Sequence, residues 1–289
     1  MNTAMSQLQL RRAAPALGRA WLLAGAGALL TWSLLRALAG DRALVNPGGW
    51  PQLRAFLAAG LQPDLGPAML TLAARAAVTT LAYAVAGAGL SLILGLLLGI
   101  PASAAWWEGR RLPRAWLVLR GALVAPRAIH EVIWGLLLVN VLGLSPLSAI
   151  LAIALPFGAI TARVYADILD GAPAAPRRAL LAAGAPPTAA FVYGLLPRSL
   201  PQLVSYAFYR LECALRSAAV LGVIGAGGLG QELLTSFQSL RYREMWTFIA
   251  ALVLLSGAVD LWSGRVRRRL GLSERFALAM PGRDGGAAG

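Results

Sequence analysis

The sequence predicts an all-α integral membrane protein of about six transmembrane helices, and three observations predict it. Of its 289 residues, 58% are hydrophobic and only 13% charged, with a mean hydropathy of +0.67. A soluble domain carries roughly 25% charged residues, so this chain lacks the charge to wet a surface. Apolar stretches long enough to cross a hydrocarbon core of about 30 Å recur along it. Short arginine clusters separate them, and arginine supplies all 26 basic residues and the net charge of +14.

The first span is Ala20–Leu38, behind Arg11, Arg12 and Arg19. Ala37-Leu38-Ala39 resembles a signal-peptide cleavage site, but the length of the stretch and the spans that follow favour a retained helix. A polar lead runs from Gly40 to Pro67. The second span is Ala76–Ile100, closed by Pro101. Trp116–Ala125 reads as a helix entering the membrane, ahead of a third span at Ile129–Val141. Gly143-Leu144-Ser145-Pro146 forms a tight turn into the fourth span, Leu147–Tyr165. An alanine-rich loop covers Ala166–Arg198. The fifth span runs from Leu200 to Ile224, followed by Gly225-Ala226-Gly227-Gly228-Leu229-Gly230. The sixth is Trp246–Trp262, and a basic tail begins at Arg265. Trp106, Trp107, Trp246 and Trp262 lie near span ends, as an aromatic belt places them. The expected organisation is a tail, first helix and lead over residues 1–67, a membrane core over 68–268, and a C-terminal tail over 269–289.

Cytoplasmic loops retain positive charge, and this fixes the expected orientation. With the N-terminus inside, the inner segments carry Arg11, Arg12, Arg19, Arg110, Arg111, Arg114, Arg120 and Arg127, then Arg177, Arg178 and Arg198. Arg265, Arg267, Arg268 and Arg269 complete that side, against Arg42, Arg54, Arg241 and Arg243 outside. Both termini are therefore expected in the cytoplasm.

Composition removes most enzymes. A Walker A loop needs lysine, and the chain has none. Cys213 and His130 are the sole residues of their kinds, which excludes an internal disulfide and any Cys- or His-based metal cluster. Asp167 and Asp170 are the only paired acids near an interface that a membrane enzyme could use. Nucleic-acid binding needs a basic face on a soluble fold, and here the arginines sit between spans. Gly225–Gly230 satisfies GxGxxG, yet an apolar helix precedes it where a dinucleotide site requires a strand. A secondary transporter would show repeated halves, and none is evident.

The loop before the fifth span is the most informative stretch. Over Gly171–Gly184 it combines Pro176 near a helix start, alanine and leucine inside, and Gly184 just past the end, the marks of a short capped helix. Pro186 and Pro187 stop it, and Thr188 can cap a second short helix reaching Leu196-Pro197. Small side chains turned outward let another protein approach closely.

This loop resembles the coupling loop of the inner-membrane permeases of binding-protein-dependent ABC importers, whose pattern is Glu-Ala-Ala, three residues, Gly, nine residues, Ile, one residue, Leu-Pro. Ala179, Gly184, Leu196 and Pro197 fall at matching positions, while Arg178 stands for the glutamate, Leu180 for the second alanine and Gly194 for the isoleucine. The resemblance extends through Tyr209-Arg210-Leu211-Glu212 and Arg216-Ser217-Ala218 to the glycine series, and through Arg127-Ala128-Ile129-His130-Glu131. These segments are similar to the phosphonate-import branch. The resemblance implies a type I importer permease fold, with Arg177, Arg178, Ala179, Ala183, Gly184, Leu196 and Pro197 in a loop that docks on a cytoplasmic ABC ATPase dimer. It implies import of a phosphonate or a related phosphorus oxyanion such as phosphite or phosphate, delivered by a periplasmic substrate-binding protein through a homodimer of permeases in the inner membrane. ATP and Mg would be bound by the partner ATPase, with no cofactor or metal on this chain and no enzymatic activity of its own.

Two further groups are candidate sites. Gly225, Gly227, Gly228 and Gly230 form a glycine-rich gate or dock at the outer end of the fifth span. Arg210, Glu212 and Arg216 lie within that span, where ionisable groups face a bundle interior or an aqueous path. Glu212 and Arg216 are four apart and can neutralise each other. Arg210, near the middle of the span, has no charged residue at i±3 or i±4. The three either tie helices together or leave a net positive charge along a path for an anion.

Overall fold

The structure, a computed structural model, describes residues 21, 23–36, 48–108 and 114–270. The first span's ends, the N-terminal arginines, most of the lead, Arg110, Arg111 and the tail from residue 271 lie outside the described residues. Residues 1–58 and 59–289 form two compact units. The first contains α1 (residues 23–36) and all but the last residue of α2 (Gly49–Ala59).

The second unit is helical, with no strand among the described residues. α3 (Pro67–Ala102) opens with proline in its first turn, where no intrahelical N–H bond is lost. Its 36 residues span about 54 Å at 1.5 Å per residue. It packs along α7 (Pro146–Asp170), capped at its start by the Ser145 hydroxyl. Small residues set that contact. A Cβ on Gly87 would approach Ile153 within 2.9 Å, and one on Gly99 the Ala162 carbonyl within 2.8 Å. In lipid, close backbone approach replaces the hydrophobic drive that water would supply. Ala84, Ala88, Ala152, Ile153, Ala214 and Leu215 complete the main core where α3, α7 and α10 (Leu196–Leu221) meet.

The expected third span, Ile129–Val141, is one helix, and a sharp bend at its start separates it from the helix expected to enter the membrane. α4 (Arg114–Ala122) and α5 (Val124–Ala128) lie at 87° to α6 (Glu131–Leu142). Ile129 is extended, the His130 imidazole accepts from Val132 N–H at 3.3 Å, and the Trp134 indole donates to the Pro126 carbonyl at 3.1 Å. A 12-residue helix reaches only about 18 Å, short of a bilayer core. Among the described residues three helices, α3, α7 and α12 (Tyr242–Arg269), are long and apolar enough to cross alone, and two bent pairs, Arg114–Ala128 with Glu131–Leu142 and Pro187–Ala226 with Leu229–Gln238, qualify only when each is taken as one span.

The expected loop at 166–198 is largely helical. α7 runs on to Asp170, α8 (Ala175–Ala182) follows, and α9 (Pro187–Ala189) feeds a π-type turn over Ala190–Leu195 that runs straight into α10. Thr188 does not cap, because Pro186 holds that position and Thr188 already lies inside the helix. Beyond the glycine series the chain forms α11 (Leu229–Gln238), an amphipathic helix that packs on α12.

Candidate functional site

α8 has the predicted ends. Pro176 sits in its first turn, and Gly184 has φ of +84°. Gly184 N–H donates to Leu181 and Ala185 N–H to Leu180, both at 3.0 Å, which satisfies the last carbonyls in a Schellman arrangement. Ala175, Arg178, Ala179 and Ala182 share the exposed face, with Ala183 exposed at the C-cap. On the opposite face Arg177 is 4% exposed; it donates to the Ala105 carbonyl at 2.6 Å and pairs with Glu108. Burial, with Arg178 beside it, pushes the Arg177 guanidinium down from its usual range. Arg178 also pairs with Glu108, at 3.2 Å. Gly194 is where the π-type turn closes on α8: a Cβ there would lie 2.9 Å from Arg177 Cα. Leu196 packs into the core beneath, and Pro197 is exposed in the first turn of α10. All seven loop residues thus belong to one region, at the C-terminal ends of α3 and α7.

Glu108 is the residue that sequence reasoning missed. It is the only acid between α3 and α4, ahead of Arg110, Arg111 and Arg114, and that isolation was a usable signal. Asp170 has a structural role nearby. It accepts from Ser103 Oγ at 2.6 Å and Ala105 N–H at 3.0 Å, so it fixes the short turn at Ala105–Trp107. Asp167 pairs with Arg163 at 3.0 Å and Arg120 at 3.4 Å. Neither carboxylate is arranged as half of an acid–base pair.

Along α10 the predicted Glu212–Arg216 pair does not form. Glu212 turns to α12, accepting from Ser263 Oγ at 2.6 Å and pairing with Arg267 at 2.9 Å. This contact lies in the last two turns of α12, so the Arg210–Glu212 turn is level with that helix's basic end and not with its middle. Arg216 is exposed, with no carboxylate within 4 Å among the described residues. Arg210 is 6% exposed. Its Nε donates to Tyr206 Oη at 2.9 Å, and its guanidinium lies 4.7 Å from the Phe157 ring centroid and 5.3 Å from that of Tyr206. Two aromatic faces and a phenol hold the cation. Among the described residues no carboxylate does.

The glycine series packs as a tight reversal near the N-terminal end of α3. Gly225, Gly227 and Gly228 have φ of +95°, +101° and +77°. Gly222 and Gly230 touch: a Cβ on Gly222 would lie 2.9 Å from Gly230 Cα, and one on Gly230 would overlap the Ala219 carbonyl. Only glycine fits where backbone meets backbone this closely. The Leu229 amide donates to Thr80 Oγ1 at 2.9 Å and so ties the reversal to α3. Thr80 was not legible as part of this group. Thr80 and Ala102 are 22 residues apart on α3, so the glycine series and the α8 loop sit about 33 Å apart, at opposite ends of the bundle.

His130 is a helix cap, and Cys213 packs against the main core. No group of three or more metal-ligating side chains occurs among the described residues.

Residues 91–271 match the family described as binding-protein-dependent transport system inner membrane component. The chain is 28% identical to the phosphite transport system permease protein PtxC of Stutzerimonas stutzeri over 252 residues, covering 87% of this chain and 88% of that protein. It is 27% identical to the phosphate-import permease protein PhnE of Mycolicibacterium smegmatis, over 71% of this chain and 37% of that one. In fold it resembles the MetNI methionine ABC transporter, solved in inward-facing conformations, with a TM-score of 0.62 and 24% identity over 71% of this chain and 99% of the matched chain. These relatives are transport subunits and not enzymes. With more than half of its length matched, the chain belongs to the binding-protein-dependent transport system inner membrane components, the permeases of ABC importers.

Proposed function

We propose that this chain is the permease of an ATP-driven importer that carries a phosphorus oxyanion, with phosphite, phosphonate and phosphate as the candidates. The observation that carries the substrate class is Arg210. A buried cation without a carboxylate is costly unless an anion or water meets it, and in membrane helices such groups mark aqueous paths. The names of the relatives, which refer to phosphite and phosphate, point to the same chemistry.

The mechanism is alternating access. ATP and Mg bind to a separate ATPase dimer, whose closure moves the α8 loop and opens the path at the far end, where a binding protein delivers the anion beside the glycine series at Gly225, Gly227, Gly228 and Gly230. Two copies of the permease enclose the path. The exposed, unpaired Arg216 supports this, since a charged side chain on a membrane helix does not face lipid. Its stripe, which includes Tyr209 and Val220, turns toward the second copy. The arginine distribution supports placing the α8 loop and both termini in the cytoplasm.

The test is uptake by proteoliposomes that contain the permease, its ATPase and its binding protein. Arg210→Gln is expected to lower uptake of the anion at least tenfold while the complex assembles at wild-type stoichiometry. Unchanged uptake by the assembled variant would remove Arg210 from the path.

A further inference from the structure

The run from Arg114 to Ala128, made of α4 and α5, lies across the bundle and not along it. α6 and α7 form a hairpin about the turn at Gly143–Ser145, because Gly135 faces Ala152 and the two are nearly equally far from that turn. At 87° to α6, the run is therefore roughly perpendicular to α7 as well. Its place is the α8 end of the molecule. The Trp116 indole donates at 2.9 Å to the carbonyl of Ala102, the last residue of α3, and Arg120 pairs with Asp167 and Asp170 at the end of α7. Leu119 and Leu123 pack toward Ala159, Ala162 and Ala166.

The side turned away from the bundle is apolar, with a free arginine near each end. Leu117 and Val118 are 69% and 71% exposed, and Val124, two turns beyond Leu117, is exposed on the same stripe. Arg114 and Arg127 are exposed, and neither has a carboxylate within 4 Å among the described residues. The two lie about 20 Å apart along the run. Were the run upright in a bilayer, one of them would sit deep in hydrocarbon at high cost. Lying flat, both reach headgroup level while the apolar stripe enters the acyl region, as in an interfacial helix. A second copy of the chain fits this face poorly. The run contains no acid, so a two-fold contact through it would set arginine against arginine.

We propose that α4 and α5 form an in-plane docking surface for anionic phospholipid, in the leaflet at the α8 end. Leu117, Val118 and Val124 contact acyl chains, and Arg114 and Arg127 each bind a headgroup phosphate. Arg120 takes no part, because Asp167 and Asp170 already hold it. A zwitterionic headgroup carries its own cation beside the phosphate, so the two unpaired arginines favour a lipid of net negative charge.

The test has two arms, both on the full-length permease. In the first, nitroxide labels at Leu117→Cys and Val124→Cys, each in a Cys213→Ala background, report depth in phosphatidylglycerol-containing liposomes through collisions with oxygen and with a water-soluble nickel complex. Both labels should favour oxygen and lie at equal depth. A depth difference of about 10 Å, the rise of two turns, would mean an upright helix and overturn the proposal. Labels open mainly to nickel, or shielded from both reagents by protein, would overturn it too. The second arm measures binding of fluorescent phosphatidylglycerol and phosphatidylcholine to the permease in detergent. The double variant Arg114→Gln, Arg127→Gln should lose about tenfold in affinity for phosphatidylglycerol, keep its affinity for phosphatidylcholine, and melt as the wild type does. An unchanged preference for phosphatidylglycerol would overturn the arginine assignment. Displacement of phosphatidylglycerol by inorganic phosphate at constant ionic strength would reassign the arginines to a soluble anion and overturn it equally.

Discussion

The amide of Leu229 donates to the hydroxyl of Thr80 across 2.9 Å, joining two residues 149 positions apart in a fully buried contact. Thr80 Oγ1 in turn donates to the Ala76 carbonyl at 3.0 Å, so one hydroxyl serves both helices. The reversal after α10 is thereby pinned to α3, and a Cβ on Gly228 would overlap the same hydroxyl.

Thr80→Val keeps the shape of the side chain and removes the acceptor. The Leu229 amide is then buried without a partner, which costs about 1–3 kcal/mol. We expect a lower melting temperature in detergent, with Thr80→Ser close to wild type. Equal melting temperatures for all three would mean that glycine packing alone holds the reversal.

Gly184 offers a cleaner backbone experiment, because nothing lies within 4 Å of the position a Cβ would occupy. Any effect of substitution there comes from φ of +84° and not from a clash. Gly184→Val should strain the α8 terminus by roughly 1–2 kcal/mol. Gly184→Asn, which tolerates this region, should lose less. The expected outcome is weaker ATPase co-purification and slower uptake in the order Gly, Asn, Val, with the membrane helices still folded by circular dichroism. Val at wild-type uptake would separate the loop's geometry from coupling.

Glu212 meets Arg267 and Ser263 in a site that is mostly shielded from water. A double-mutant cycle with Glu212→Gln and Arg267→Gln should return a coupling of about 0.5–3 kcal/mol in thermal stability, as interacting neighbours do. The cycle of Glu212→Gln with Arg216→Gln should return close to zero, since that pair is not formed. A larger coupling to Arg216 than to Arg267 would contradict the arrangement.

Much of this protein was legible in its sequence. Low charge, recurrent apolar stretches and arginine-marked loops specify membrane helices, because a hydrocarbon solvent admits few other backbones. Pro176 and Gly184 marked the ends of α8, because proline and glycine fix local backbone geometry regardless of surroundings. What the sequence did not determine is which distant groups meet. Helical spacing suggested Arg216 as the partner of Glu212, since a single helix brings together only residues three or four apart. The tertiary structure brought Ser263 and Arg267 from α12 to that carboxylate instead. Glu108 reached Arg177 and Arg178, about 70 residues away, in the same manner, and Thr80 reached Leu229. The bend at His130 escaped hydropathy, which sums apolar character along the chain and is blind to direction. Periodicity reports one helix at a time, while burial of polar groups in lipid is satisfied only between helices, so the pairing of charges was decided by packing.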